Sequence, residues 1–185
     1  MDPLSDNQLM KQVQAGSADH LGLLFERYHR ILYRFFNNYC GDRWISEDLV
    51  QNVFYRILKY RHNFRGEGEF KSWMFFIARN VGHDWRKKNP ATEGQPIETL
   101  EHLLPGQDPG QEQEITRQED LMQLKKALQS LPPEQRELIE LSKLQGLRYS
   151  RIGDLLGCTE GNVKVRVFRA MKALKAAFDE LEKQS

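Results

Sequence analysis

The stretch "NPATEGQPIETLEHLLPGQDPGQEQE", residues 89–114, puts four prolines and three glycines near the middle of a 185-residue chain. Proline removes a backbone donor and clashes inside a helix, and glycine weakens either kind of regular element. With no sustained apolar period as well, the stretch cannot carry a core from one half to the other. It predicts a flexible acidic linker over residues 90–118, within which "IETLEHLL" has the composition of a short helical turn. Two modules remain, residues 1–89 and 119–185, each with only a thin core of its own.

Divided along these lines, the net charge of +1 resolves into +4 over residues 1–88, −5 over 89–118, −1 over 119–145 and +3 over 146–185. Two basic ends around an acidic middle suit two polyanion contacts held apart, or simply two solvated faces. No apolar run approaches the roughly 20 residues that a membrane span needs. The start, "MDPLSDNQ", is acidic rather than basic and then apolar, so no leader peptide and a cytoplasmic location are expected. Cys40 and Cys158 stand far apart without a CxxC or Cys/His cluster. A disulfide framework and a zinc site are therefore not expected, and both cysteines read as small buried hydrophobes. His20, His29, His62, His83 and His102 are scattered without ligand spacing; no metal, cofactor or catalytic residue is expected.

Neither module shows period-two alternation bounded by turn residues, so the expected fold class is all-α. Ser5 with Gln8 resembles a capping box, and apolar residues recur at helical spacing from Leu21 to Phe36. After "CGDRW", Ser46 is the expected cap of a helix whose apolar stripe is Leu49, Val50, Val53, Phe54, Ile57 and Leu58. Asp48, Gln51, Asn52 and Tyr55 then share the opposite, polar face. A further helix is predicted from Phe70, with Phe70, Trp73, Met74, Ile77, Val81 and Trp85 toward the core. Its other side carries Ser72, Arg79, His83 and Arg86, bordered by Phe75 and Phe76. Aromatic rings among cations suit single-stranded nucleic acid, whose bases stack while Arg and Lys follow phosphate; the same rings can equally pack on neighbouring helices.

The second module is more specific. "PPEQRELIELSKLQG" reads as a helix opened by proline and closed by glycine. Ser150 is the expected cap of "RIGDLL", which stops at Gly157, and Thr159 the cap of a long helix to about Leu181. A short helix, a glycine turn and a longer basic helix form a helix-turn-helix, whose second helix enters the major groove. In "VKVRVFRA", Val163, Val167, Ala170, Met171 and Leu174 take the core face, which leaves Val165 and Phe168 outward beside Arg169 and Lys172. In a groove, exposed Val and Phe can meet the thymine methyl group while Lys and Arg reach guanine or phosphate. Phe168 can alternatively pack on an earlier helix, and Arg166, off to the side, is better placed for phosphate.

"ISEDLVQNVFYRIL", "GEFKSWMFFIARNVGHDWRKK" and "YSRIGDLLGCTEGNVKVRVFRAMKAL" resemble, in this order and separation, regions two and four of the extracytoplasmic-function sigma factors, the compact two-domain group of the sigma-70 family. The resemblance implies a non-catalytic specificity subunit of RNA polymerase. Region two would bind the clamp of the largest subunit and melt the minus-ten promoter element. Region four would read the minus-thirty-five element and meet the flap of the second-largest subunit, and an anti-sigma factor would mask these surfaces. Carried over by position, Asp48, Gln51, Asn52 and Tyr55 dock polymerase. Arg65, Gly66 and Glu67 belong to the loop that captures a flipped minus-ten base. Phe70, Lys71, Trp73, Phe76, Arg79, Asn80, His83 and Arg86 follow on the helix that handles the opened strand. Thr159, Glu160, Gly161, Asn162, Lys164, Val165, Arg166, Phe168 and Arg169 match the minus-thirty-five readers. Where many relatives have Ile-Ala-Glu this chain has Ile152-Gly153-Asp154, an exchange of small residues expected to be mild. Val165 stands where many relatives have a serine, so the base preference of those relatives is not carried over to this position. Two other classes compete with this reading. A stand-alone helix-turn-helix regulator leaves residues 70–88 without a task, and a nuclease would need clustered metal ligands.

Overall fold

The computed structural model describes residues 4–66, 69–90 and 111–183, and every regular element among them is helical. The chain divides into two compact units, Met1–Thr99 and Leu100–Ser185. The helical turn expected in "IETLEHLL" and the site residue Glu67 lie outside the described residues.

Unit 1 contains α1 (Asp6–Gln14), α2 (Asp19–Cys40), α3 (Arg43–Lys59) and α4 (Phe70–Lys88), with a 3-10 turn at Arg61–Asn63. α1 opens on the expected capping box, in which the Ser5 hydroxyl accepts from the Gln8 amide and the Gln8 side chain accepts from the Ser5 amide. α2 ends at Gly41, whose φ of +73° closes the helix in the left-handed region that favours glycine. The start of α3 differs from expectation. Asp42, not Ser46, is its cap, with the carboxylate accepting from the Ile45 amide at 2.9 Å. Inside a helix Ser46 can return its hydroxyl to the carbonyl four residues back, here that of Asp42. The helix therefore gains about one turn without orphaning Ser46, which is fully buried.

Leu9 and Met10 of α1, Leu24, Leu32 and Phe36 of α2, Val53 and Ile57 of α3, and Met74 and Phe75 of α4 are fully buried in one core. Each such side chain contributes about 1.5–3 kcal/mol relative to exposure. Phe75 meets Phe35 edge-on at 5.5 Å, so of the two rings left open by the sequence, Phe75 is a packing residue. Leu58, expected in the α3 stripe, lies at its exposed edge.

Unit 2 contains α5 (Gln111–Ser130), α6 (Pro133–Ile139), α7 (Tyr149–Leu156) and α8 (Glu160–Glu182). α5 begins inside the stretch expected as linker. Residues 111–118, "QEQEITRQ", lack glycine and proline and are mostly good helix formers. α6 starts at Pro133 and widens into a π turn at Glu140–Leu144 before Gly146, at φ +66°. α7 starts ahead of the expected Ser150 cap, because the Ile152 amide already bonds the Arg148 carbonyl and makes Ser150 an interior residue. Ala127, Leu131, Ile139, Ala170 and Leu174 form the central cluster between α5, α6 and α8.

Candidate nucleic-acid interface

The polar face read from the sequence on α3 exists. Asp48, Gln51, Asn52 and Tyr55 are all exposed, because the turns that bury Leu49, Val50, Val53 and Phe54 turn them outward. Asn52 is tied to the next helix. Its Oδ1 accepts from Arg56 Nε at 3.0 Å, and Arg56 Nη2 pairs with Asp84 Oδ2 of α4 at 2.8 Å. This link was not read from the sequence, since Arg56 and Asp84 are 28 residues apart.

The loop after α3 brings Arg65 to the surface, and Gly66 turns at φ +73°. On α4, Phe76, Arg79, Asn80, His83 and Arg86 share one helical face. Phe76 is 47% exposed and the other four are half-buried. Lys71 and Trp73 stand half-buried at the edges of that face. Phe70 does not belong with them. It is on the opposite side, 1% exposed, against Tyr28, Phe64 and Trp73 at ring distances of 5.6, 6.2 and 6.3 Å. Its place is the core, because the first turn of α4 must bury its apolar side to dock on α1 and α2. Trp73 shares in that cluster through Phe64 at 5.3 Å.

In unit 2 the glycine turn is tight. Gly157 ends α7 at φ +65°, and Thr159 caps α8 by accepting from the Asn162 amide at 3.2 Å. A Cβ on Gly153 would lie 2.6 Å from the Cys158 carbonyl oxygen. Alanine at position 153, an exchange expected to be mild, is therefore not mild in this turn, whose backbone leaves no room for the methyl. Val163, Val167, Ala170 and Leu174 are buried, while Val165 and Phe168 are 49% and 70% exposed. Phe168 does not pack on an earlier helix. With Gly161, Lys164 and Arg169, all exposed, these two residues make one continuous outward face. Thr159, Glu160 and Asn162 lie exposed at its leading end. Arg166 is half-buried and leans on Glu134 of α6, with Nη2 3.4 Å from Oε2.

Neither cysteine forms a disulfide. Cys40 is buried, its thiol pushed above the usual range by burial, and it donates to the Phe36 carbonyl at 3.1 Å. Cys158 is half-buried within the glycine turn. Among the described residues no group of three or more His, Cys, Asp or Glu side chains could hold a metal. No described helix is long and apolar enough to cross a membrane.

Two family models match the chain. The model of Sigma-70 region 2 matches residues 24–91, and that of Sigma-70, region 4, matches residues 121–174. The chain is 29% identical over 184 residues to the ECF RNA polymerase sigma-E factor of Escherichia coli K12, covering 94% of each chain. It is 29% identical over 171 residues to the ECF RNA polymerase sigma factor SigX of Bacillus subtilis, covering 88% of this chain and 85% of that one. Among solved structures it resembles the sigma factor RpoE of Bartonella quintana, crystallised with the anti-sigma factor NepR. That likeness has a TM-score of 0.66 and 26% identity, over 85% of this chain and 96% of that one. With both regions matched in order on separate helical units, the chain belongs to the sigma-70 family, in its extracytoplasmic-function group.

Proposed function

We propose that the chain directs RNA polymerase to promoters, with residues 1–89 docking polymerase and opening the minus-ten element, and residues 111–185, which begin with α5 rather than at the expected 119, reading the minus-thirty-five element. The observation that carries this reading is the outward face of α8. Val165 and Phe168 stand exposed among Lys164 and Arg169 at the start of the second helix of a helix-turn-helix. Apolar side chains there meet thymine methyl groups, and the cations meet guanine or phosphate.

In unit 1 the exposed Asp48, Gln51, Asn52 and Tyr55 supply the polymerase contact. Arg65, Gly66 and Glu67 with the Phe76, Arg79, Asn80, His83 and Arg86 face of α4 receive the opened strand, with Lys71 and Trp73 at its margin. Extracting a base from the stack costs a few kcal/mol, which stacking on Phe76 and contacts to its neighbours offset in part. Arg166 orients α6 against α8 through Glu134 and meets phosphate only if that weak exposed pair opens. Bond-making belongs to polymerase; this chain contributes binding and strand separation. Tethering two weak contacts to one polymerase raises the effective concentration of the second. By likeness to the Bartonella protein, an anti-sigma factor covers these surfaces until initiation is required, and the work is done where polymerase is, in the cytoplasm.

Run-off transcription with bacterial core polymerase, with and without this protein, on a pool of randomised promoters tests the proposal. The expected result is a set of protein-dependent transcripts whose templates share two spaced sequence elements. Specific DNA binding by the protein alone, with no affinity for core polymerase, would overturn it in favour of a stand-alone regulator.

A further inference from the structure

α1 lies before residue 24, where the match to Sigma-70 region 2 begins. Three of its side chains, at positions 7, 11 and 14, nevertheless converge on the loop between α3 and α4. Asn7 Oδ1 accepts from the Phe70 amide at 2.8 Å, across 63 residues of sequence. α4 has no side-chain cap of its own, since Glu69 at the cap position makes no such bond, so α1 supplies one of the partners its first turn needs. At the other end of the loop, the Gln14 amide nitrogen donates to the Arg61 carbonyl at 2.9 Å and to the Phe64 carbonyl at 2.6 Å. Only the nitrogen end of that amide can face two carbonyl oxygens. Between them, Lys11 passes over the loop, its Cε 3.4 Å from where a Gly66 side chain would begin.

α1 is itself held from behind. Asp6 pairs with Arg27 Nη1 at 2.6 Å and accepts from the Tyr28 hydroxyl at 2.5 Å, which fixes the helix against α2. The loop needs such support, because Gly66 turns within it at φ +73° and glycine has the largest conformational freedom to lose on ordering. A pocket that must be ordered by its ligand binds more weakly than one already formed.

We propose that α1 is a cradle for this loop, and that Asn7 and Gln14 are positioning residues for capture of the flipped minus-ten base. The inference rests on the function proposed above. The two residues act at the loop's ends, Phe70 on one side and Arg61 and Phe64 on the other, without touching the base. Lys11 adds a cation at the loop's flank.

The test uses full-length protein with core polymerase on a promoter recovered from the transcription selection, carrying the fluorescent base 2-aminopurine in its minus-ten element. Opening rate, core affinity and thermal stability are read for Asn7→Ala, Asn7→Asp, Gln14→Ala and Gln14→Glu. Each alanine variant is expected to open promoter about three- to ten-fold more slowly, as a lost hydrogen bond to buried backbone predicts, with core affinity unchanged. Asn7→Asp should open at close to the wild-type rate, because its carboxylate still accepts from the Phe70 amide. Gln14→Glu should be slowed at least as much as Gln14→Ala, since it sets an acceptor against two acceptors. Wild-type opening by both alanine variants overturns the inference, as does a loss of opening matched by an equal loss of core affinity. If the alanine variants do not fold, the near-isosteric pair decides: normal Asn7→Asp with slow Gln14→Glu supports the cradle, and equal rates overturn it. If the selection recovers no template whose transcription depends on the wild-type protein, the proposed function itself is overturned, and this inference with it.

Discussion

The two helices assigned to nucleic acid begin in different ways. α8 starts on local instructions, with Gly157 turning the chain and Thr159 accepting from an amide three residues on. α4 starts on a distant one, with its first amide bonded to Asn7 at the opposite end of unit 1. A local cap forms whenever its own short segment does; a distant cap exists only once the whole unit has assembled. Unit 2 therefore presents α8, the proposed reading helix, as a property of one supersecondary motif, and unit 1 presents α4, the proposed strand-binding helix, as a property of its complete fold.

Gly153→Ala should break this contrast most severely. The added methyl must displace the Cys158 carbonyl, at an expected cost of about 2–3 kcal/mol to unit 2. Trp44, Trp73 and Trp85 are the chain's three tryptophans and all lie in unit 1. Circular dichroism melts should accordingly shift while the tryptophan fluorescence melt stays in place. Next in size, Arg169→Ala is expected to weaken minus-thirty-five binding by about 1–3 kcal/mol and to relax base preference at one position. Competition binding with single-base variants of the element checks this; a uniform loss would make the contact one to phosphate.

Thr159→Ala removes only the local cap and should cost unit 2 about 1 kcal/mol in urea unfolding followed by circular dichroism. The smallest effect concerns the distant tie of unit 1. Burial first, and then the bond to Asp6, hold the Tyr28 phenol protonated well above its ordinary value. The neutral phenol is thus favoured by the folded state. Its contribution is complete below the unfolded value of about 10 and is lost as pH rises beyond it toward the folded value. Fluorescence-monitored unfolding of unit 1 should show stability falling through that alkaline range, by a slope of at most one proton, and Tyr28→Phe should remove that slope.

This contrast also sets what could be read in the sequence. The Ser5 and Thr159 caps, the Gly157 turn and the outward Val165 and Phe168 were legible because their physics is complete within a few residues. The expected cap of α3, Ser46, and the observed one, Asp42, are both good capping residues four positions apart, so residue type alone does not separate them. Phe70 was placed both in the core and against DNA; the ring cluster with Tyr28, Phe64 and Trp73 puts it in the core. Asn7 and Gln14 gave no local sign at all. An amide side chain on a short helix could face solvent, and its partners here lie 47 to 63 residues away.

The mixed character of the α8 face has a consequence for how salt acts on it. In the proposed function Lys164 and Arg169 draw in any duplex, and that attraction weakens steeply as ionic strength rises because counterion release is its source. The contacts proposed for Val165 and Phe168, to thymine methyl groups, are not screened. Rising salt should therefore strip this protein from random DNA faster than from its own sites, so that discrimination improves while total affinity falls.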